Sequence, residues 1–413
     1  MEFRRFIMKK SSVEVWLWLL LVMYPHNPKT RELLDHYDSA EELARAIRDG
    51  ECPGVSDSER QRAASVRSRE VHQIMEECAS NDIRIITPDD DEYPALLKNI
   101  YCPPVVLFVQ GSLECLKDEV SLAVVGPRHP SDYAVKVGTM LCTQLARLGT
   151  VLVSGLAVGI DTVAHSCAVN NGIPTIGVLA CGHLVNYPPE NEQLKRRIVE
   201  CGGAVISELL PHASVEPRYF RDRNRIISGL GVGTLIVEAS TRSGCLLTAN
   251  HTIDQGRDLF CVPPRDITME SCAGVVPFLR DGAIPVFDYL DIVHEYMYHY
   301  FSRLDEGTSA SRTDKPQKRQ FKPSPAAAPT AVNSANRQEK PAQTAPALSE
   351  EKLSTLTETQ RLIAKIVEKS PGTADEIVIL ARMPYAEVAE VLTDLEIADM
   401  IQLTPDGTYQ LKQ

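Results

Sequence analysis

The chain has 413 residues, 44% apolar and 24% charged, a size and mixture that suit two or three soluble globular domains. Its formal net charge of -12 excludes coating of nucleic acid by bulk attraction, so a nucleic-acid site must be a local basic patch on an acidic body. The 11 cysteines form no C-x-x-C pair and sit singly in apolar runs, as Cys142, Cys167 and Cys261 do. That usage argues against a disulfide framework and points to buried thiols in a reducing, cytoplasmic compartment.

The chain opens with Arg4, Arg5, Lys9 and Lys10 ahead of an apolar run from Val13 to Met23, which imitates a secretory signal. Glu14 interrupts the run, no small-x-small cleavage site follows, and Pro25 arrives at once. The run is also too short to span a bilayer, and no other stretch approaches membrane length. A buried first helix is the reading that fits. Helical periodicity continues over Thr30–Tyr37, Ser39–Asp49 and Ser56–Asn81, giving a small helical N-terminal domain, SAM-like or helix-hairpin-like, over residues 1–82.

Ile83 to Gly111 reads as short strands and turns. From Ser121 onward apolar strands alternate with helical stretches: SLAVVG, TVLVSG, PTIGVLA, AVISE, TLIVEA and LFCVP, the last starting at Leu259. Short, near-continuously apolar strands are those of a parallel sheet covered on both faces, so residues 83–304 are predicted to form a doubly wound, Rossmann-like α/β domain. Residues 305–353 collapse to Pro, Ala, Ser, Thr, Gln and Lys, the composition of a disordered linker. Periodicity returns over 354–413 as three helices and a hairpin at Asp406-Gly407, a winged-helix pattern.

Ligands of doubly wound sheets sit outside the carboxyl ends of the strands, so the residues after each strand are the candidate site. Gly126-Pro127-Arg128 follows the first, where glycine permits close approach and Arg128 supplies a charged fork. The second is followed by Ser154, Gly155, Gly159 and Asp161, with His165 beyond; two glycines entering a helix predict a pocket of free N–H groups for an anion. Asp161 suits a helix cap equally well, and His165 suits packing better than catalysis. Arg218 to Ile227, including Phe220, Arg223, Asn224 and Arg225, reads as a loop leading into a helix, with arginine forks for phosphates and aromatics for bases. Ser243, Gly244 and Thr248 add small donors at a further helix start. There is no Walker loop, no dinucleotide fingerprint, no metal-spaced cluster and no nucleophile elbow, so no cofactor, metal or catalytic residue is predicted.

The ordered strings VVGPR, SGLAVGIDTVAHSCAVNNGIPTIGVLACGHLVNYPPEN, GAVISE, FRDRNRIISGL and TLIVEASTRSGCLLTA closely resemble the DNA-processing protein A (DprA/Smf) family. The resemblance implies an extended Rossmann core that binds single-stranded DNA, protects strands taken up in natural transformation, loads RecA recombinase and forms homodimers. Carried over, Arg128 would meet a phosphate; Ser154, Gly155, Gly159 and Asp161 would shape the neighbouring pocket. Phe220, Arg223, Asn224, Arg225, Ser243, Gly244 and Thr248 would complete the groove. The chain departs from the family at Pro189-Glu190-Asn191-Glu192, where a basic residue is usual, and at Val262-Pro263-Pro264. One alternative is an enzyme: Gly229 to Thr234 is similar to the phosphate loop of nucleoside-monophosphate phosphoribohydrolases, with Glu238 one residue beyond the catalytic position.

Overall fold

A computed structural model describes residues 12–118, 120–296 and most of 356–412; the basic start and the predicted linker at 305–353 lie outside the described residues. The chain divides into two compact units, Met1–Tyr300 and Phe301–Gln413.

Five helices open the first unit: α1 Val13–Met23, α2 Pro28–Leu34, α3 Ala40–Asp49, α4 Asp57–Ser65 and α5 Ser68–Ser80. Helix α1 buries Trp16 to Leu20, Val22 and Met23, so its apolar surface is consumed all round by its neighbours. Among the described residues no helix is long and apolar enough to cross a membrane. The predicted helix Ser56–Asn81 is two helices, because Val66 and Arg67 take extended backbone and Val66 packs against the bundle core. Local chemistry sets the starts: Asn27 and Ser39 cap α2 and α3, and Ser56 with Glu59 forms a reciprocal capping box on α4.

The sheet has nine strands: β1 Arg84–Ile86, β2 Leu107–Gly111, β3 Ser121–Val125, β4 Val151–Ser154, β5 Thr175–Val178, β6 Ala204–Ser207, β7 Gly233–Ile236, β8 Asp258–Cys261 and β9 Ile284–Pro285. Their order is β1-β2-β6-β5-β4-β3-β7-β8-β9. β3 to β9 run parallel, while β1 and β2 extend one edge antiparallel. All six predicted strands are present, and the two-residue β9 joins them. Short helices α6 Ala95–Lys98 and α7 Cys115–Asp118 flank β2. The main crossovers are α8 Asp132–Arg147, α9 Ile160–Asn170, α10 Glu192–Glu200, α11 Pro217–Leu230 and α12 Cys245–Asp254, with α13 Val275–Arg280 and α14 Tyr289–Glu295 closing the unit. Alternate strand residues serve the two faces. Ala123 and Val153 pack with Ile226, Ile227 and Ala249 of α11 and α12, whereas Leu122, Val124 and Leu152 pack with Leu141 and Ala164 of α8 and α9.

Strand order reverses at β3. The chain steps from β3 through β4 and β5 to β6 on one side, then places β7 on the other side of β3. Loops leaving β3 and β7 therefore diverge, and it is at such a switch point that a ligand crevice opens in doubly wound sheets.

The second unit holds α15 Glu358–Lys369, α16 Ala374–Ala381, further helical residues at 394–396, and an antiparallel pair, β10 Ile401–Leu403 with β11 Tyr409–Leu411. Ile363, Val367, Ile377, Val388, Leu392 and Leu395 form its core. The predicted turn at Asp406-Gly407 lies outside the described residues.

Candidate nucleic-acid interface

The loop after β3 carries Gly126 against Ile160 of α9 and leaves Arg128 exposed. Arg128 makes no ion pair among the described residues; its guanidinium lies over the Phe220 ring, 4.9 Å from the centroid. Tyr187 meets the same ring edge-on at 5.8 Å. A cation and two aromatics thus line the crevice side of α11. Tyr187 was not among the expected site residues; the signal available was an aromatic in the long segment after β5.

The glycine loop after β4 is not the free N–H pocket that was expected. Asp161 accepts hydrogen bonds from the N–H groups of Gly155 at 3.1 Å and Ala157 at 3.2 Å, closing the loop on itself. Ser154 turns inward, its Oγ donating to Val124 O at 2.7 Å. Gly159 has φ +88°, and a Cβ there would lie 2.3 Å from Pro127 O, so this glycine lets the two loops touch rather than admitting a ligand. Asn191, within the family departure, donates through Nδ2 to Leu156 O and Ala157 O at 2.9 and 3.1 Å and pins the loop from outside. Burial raises the Asp161 carboxyl, against Arg223 and the N–H donors, which favour its charge.

Residues Arg218 to Ile227 are helix, not loop: α11 starts at Pro217, which is pre-set for a first helical turn. Two of its arginines therefore point into the protein. Arg223, 5% exposed, donates from Nη1 to Val178 O at 2.6 Å. A Cβ on Gly155 would lie 1.9 Å from that nitrogen, so residue 155 must be glycine for the guanidinium to fit. Burial, reinforced by Arg128 and opposed by Asp161, brings the Arg223 pKa down to about 10.

Arg225 is the clear correction. At 3% exposure it grips the buried Glu208 carboxylate through Nη1 and Nη2 at 2.8 and 2.6 Å, and donates to Cys102 O at 2.9 Å and Asp222 O at 2.9 Å. Burial alone would lower its pKa; Glu208 more than offsets that and holds it above the usual arginine value. With its fork filled by a carboxylate, Arg225 is a structural tie and not a phosphate ligand. Arg221 and Arg242 are exposed without an ion pair among the described residues, whereas Arg218 pairs with Glu216 at 2.8 Å. Asn224 is half-buried and donates to Gly244 O at 3.4 Å, joining α11 to the loop before α12.

Of the remaining expected residues, Gly244 is exposed and Ser243 half-buried, with Ser243 Oγ 3.0 Å from Cys245 Sγ. Thr248, 1% exposed, is a core residue and not a surface donor. Glu238 is buried at the end of β7, accepting from Ser131 N at 2.9 Å and Ser131 Oγ at 2.7 Å, and so steadies the cap of α8 across the switch point. The Gly229 to Thr234 run of the enzyme alternative joins α11 to the amino end of β7, opposite the crevice. His165 is fully buried; its Nδ1 donates to Thr175 Oγ1 at 2.9 Å, since that hydroxyl donates to Leu152 O. Burial, with Arg223 adding, lowers its pKa to about 3, so the ring is packed and neutral. No group of three metal-ligating side chains occurs among the described residues.

At the switch point an exposed arginine lies over the Phe220 ring, Tyr187 meets that ring edge-on, and the buried acids and histidine are tied into the fold: a doubly wound α/β protein whose strand ends offer a cation and rings. The family model for DNA recombination-mediator protein A matches residues 84–297, and the DprA winged helix domain matches 339–407. The DNA processing protein DprA of Bacillus subtilis is 36% identical over 213 residues, covering 52% of this chain and 71% of that protein. Protein Smf of Synechocystis is 29% identical over 390 residues, 92% of this chain and 94% of its own. The X-ray structure of DNA processing protein A from Streptococcus pneumoniae superposes with a TM-score of 0.60 at 29% identity, over 70% of this chain and 99% of that one. The chain belongs to the DNA recombination-mediator protein A (DprA/Smf) family, and its C-terminal unit is a winged helix.

Proposed function

We propose that the crevice binds single-stranded DNA, that the protein acts without covalent chemistry, and that it works in the cytoplasm as a homodimer, protecting incoming strands and loading RecA recombinase. The observation that carries the binding reading is the Arg128–Phe220–Tyr187 cluster at the strand ends: a guanidinium with no ion pair among the described residues, open to a phosphate, beside rings for unpaired bases. A duplex keeps its bases stacked inside, so aromatics beside a cation favour single strands. The family's description as a recombination mediator supports the recombinase part. Free thiols at every cysteine support a reducing compartment.

Titration with labelled single- and double-stranded oligonucleotides at several salt concentrations tests this. Single strands should win, with a slope of about -0.7 in log K against log salt for each neutralised phosphate. Equal affinity for duplex, or a flat salt response, would overturn the groove. Release of free base from nucleoside monophosphates by the purified protein would instead establish the phosphoribohydrolase alternative.

A further inference from the structure

The corner between α1 and α2 is the most strained backbone in the N-terminal bundle. Tyr24, at the end of α1, has φ +66°, and His26 has φ +56°. Positive φ costs an L side chain, and Tyr24, with ψ 156°, lies outside even the left-handed helical well, in a region that glycine almost alone occupies. The strained Tyr24 holds its ring 57% exposed. Arg62 stacks on that ring, its guanidinium 4.2 Å from the centroid, and is itself fixed by donating Nε to Val22 O at 2.7 Å. Asn27 Nδ2 clamps the corner to Met23 O at 2.8 Å. An exposed aromatic held rigid in a costly conformation, backed by a cation, is built for a face-on contact.

Its place in the fold says with what. His26 Nε2 lies 3.6 Å from Asp222 Oδ1, so the corner abuts α11 one residue after the exposed Arg221 and two after Phe220. We infer that Tyr24 is a base-stacking platform that extends the single-strand path from the crevice onto the N-terminal bundle. The occupant at the ring is a base: a neutral base stacks on an aromatic face whatever the sequence, and the Asp222 carboxylate beside His26 disfavours a phosphate at that neighbouring position. Arg62 then contributes a charge beside the ring without needing to leave it.

This inference rests on the proposed single-strand binding, and the test separates the two. The full-length protein is irradiated with single-stranded oligonucleotides of about 6 and about 30 nucleotides carrying 5-iodouracil, spanning one binding site and well beyond it. Tyr24 should cross-link to the long strand. Tyr24→Ala should weaken long-strand binding about five-fold or more and leave the short strand unaffected, and Tyr24→Phe should bind as wild type does. Should Tyr24→Ala fold poorly, the wild-type cross-link and the Tyr24→Phe titration decide. Strand binding that Arg128→Ala weakens, with no cross-link at Tyr24, would overturn this inference alone. A wild-type protein that binds no single strand would overturn both.

Discussion

Replacing Arg225 with methionine should unfold the protein more easily and should not act primarily on DNA. The guanidinium makes two charge-assisted bonds to Glu208 and donates to two backbone carbonyls, all within a site closed to water. Removing it leaves Glu208 as a buried carboxylate without its cation, a loss of about 3–5 kcal/mol. In a domain of this size that lowers the melting temperature by on the order of 10 °C. The double variant Arg225→Met, Glu208→Met removes the stranded charge as well and should recover most of the loss. Thermal melts of wild type, both single variants and the double variant, followed by circular dichroism, give the comparison. If Arg225→Met melts within about 2 °C of wild type, a shift too small for a lost buried ion pair, while its single-strand affinity collapses, the assignment as a structural tie is wrong.

Arg128→Ala should instead keep the wild-type melt and lose on the order of 10- to 100-fold in single-strand affinity, measured by fluorescence anisotropy. Glu238→Ala, which removes two bonds at the cap of α8, should cost about 1–3 kcal/mol in urea denaturation and leave DNA affinity unchanged. His165 and His183 are held neutral by burial, with pKa values down to about 3 and about 4. The unfolded chain takes up these protons first, so their stabilisation is complete above about pH 6.5 and falls as pH drops toward the folded values. The pair should account for a loss of about 4 kcal/mol between pH 7 and pH 5, visible as a falling urea midpoint, and His165→Gln should flatten about half of that slope.

The parallel sheet was legible because each strand is buried on both faces and its apolar run is unbroken. β9 was not, since two residues at Ile284–Pro285 carry no periodicity. Strand-end reasoning singled out Arg128 as a cation after β3, and its side chain is exposed there. The fate of Arg223 and Arg225 was out of reach: a dense run of charges reads as a solvated loop. Only the partners at Val178 and Glu208, distant in sequence, show that the helix turns them inward. The glycine loop misled in the same way. Its spacing announces a close approach, yet whether the approaching group is a phosphate or the Arg223 guanidinium is decided by tertiary contacts. Splitting of the predicted 56–81 helix had a faint local signal in the β-branched Val66, too weak to place a break.

Strand β2 turns Leu107 and Val109 toward the sheet's own core and Phe108 toward the cluster around Trp16, so helical bundle and sheet share one wall. That makes the first unit indivisible in practice. A fragment starting near residue 84 would display Val106 and Phe108 as a greasy stripe beside an edge strand, a surface on which copies would cling to one another. Anyone trimming the protein to its sheet would do better to keep the bundle, or to repaint those two positions with polar side chains first.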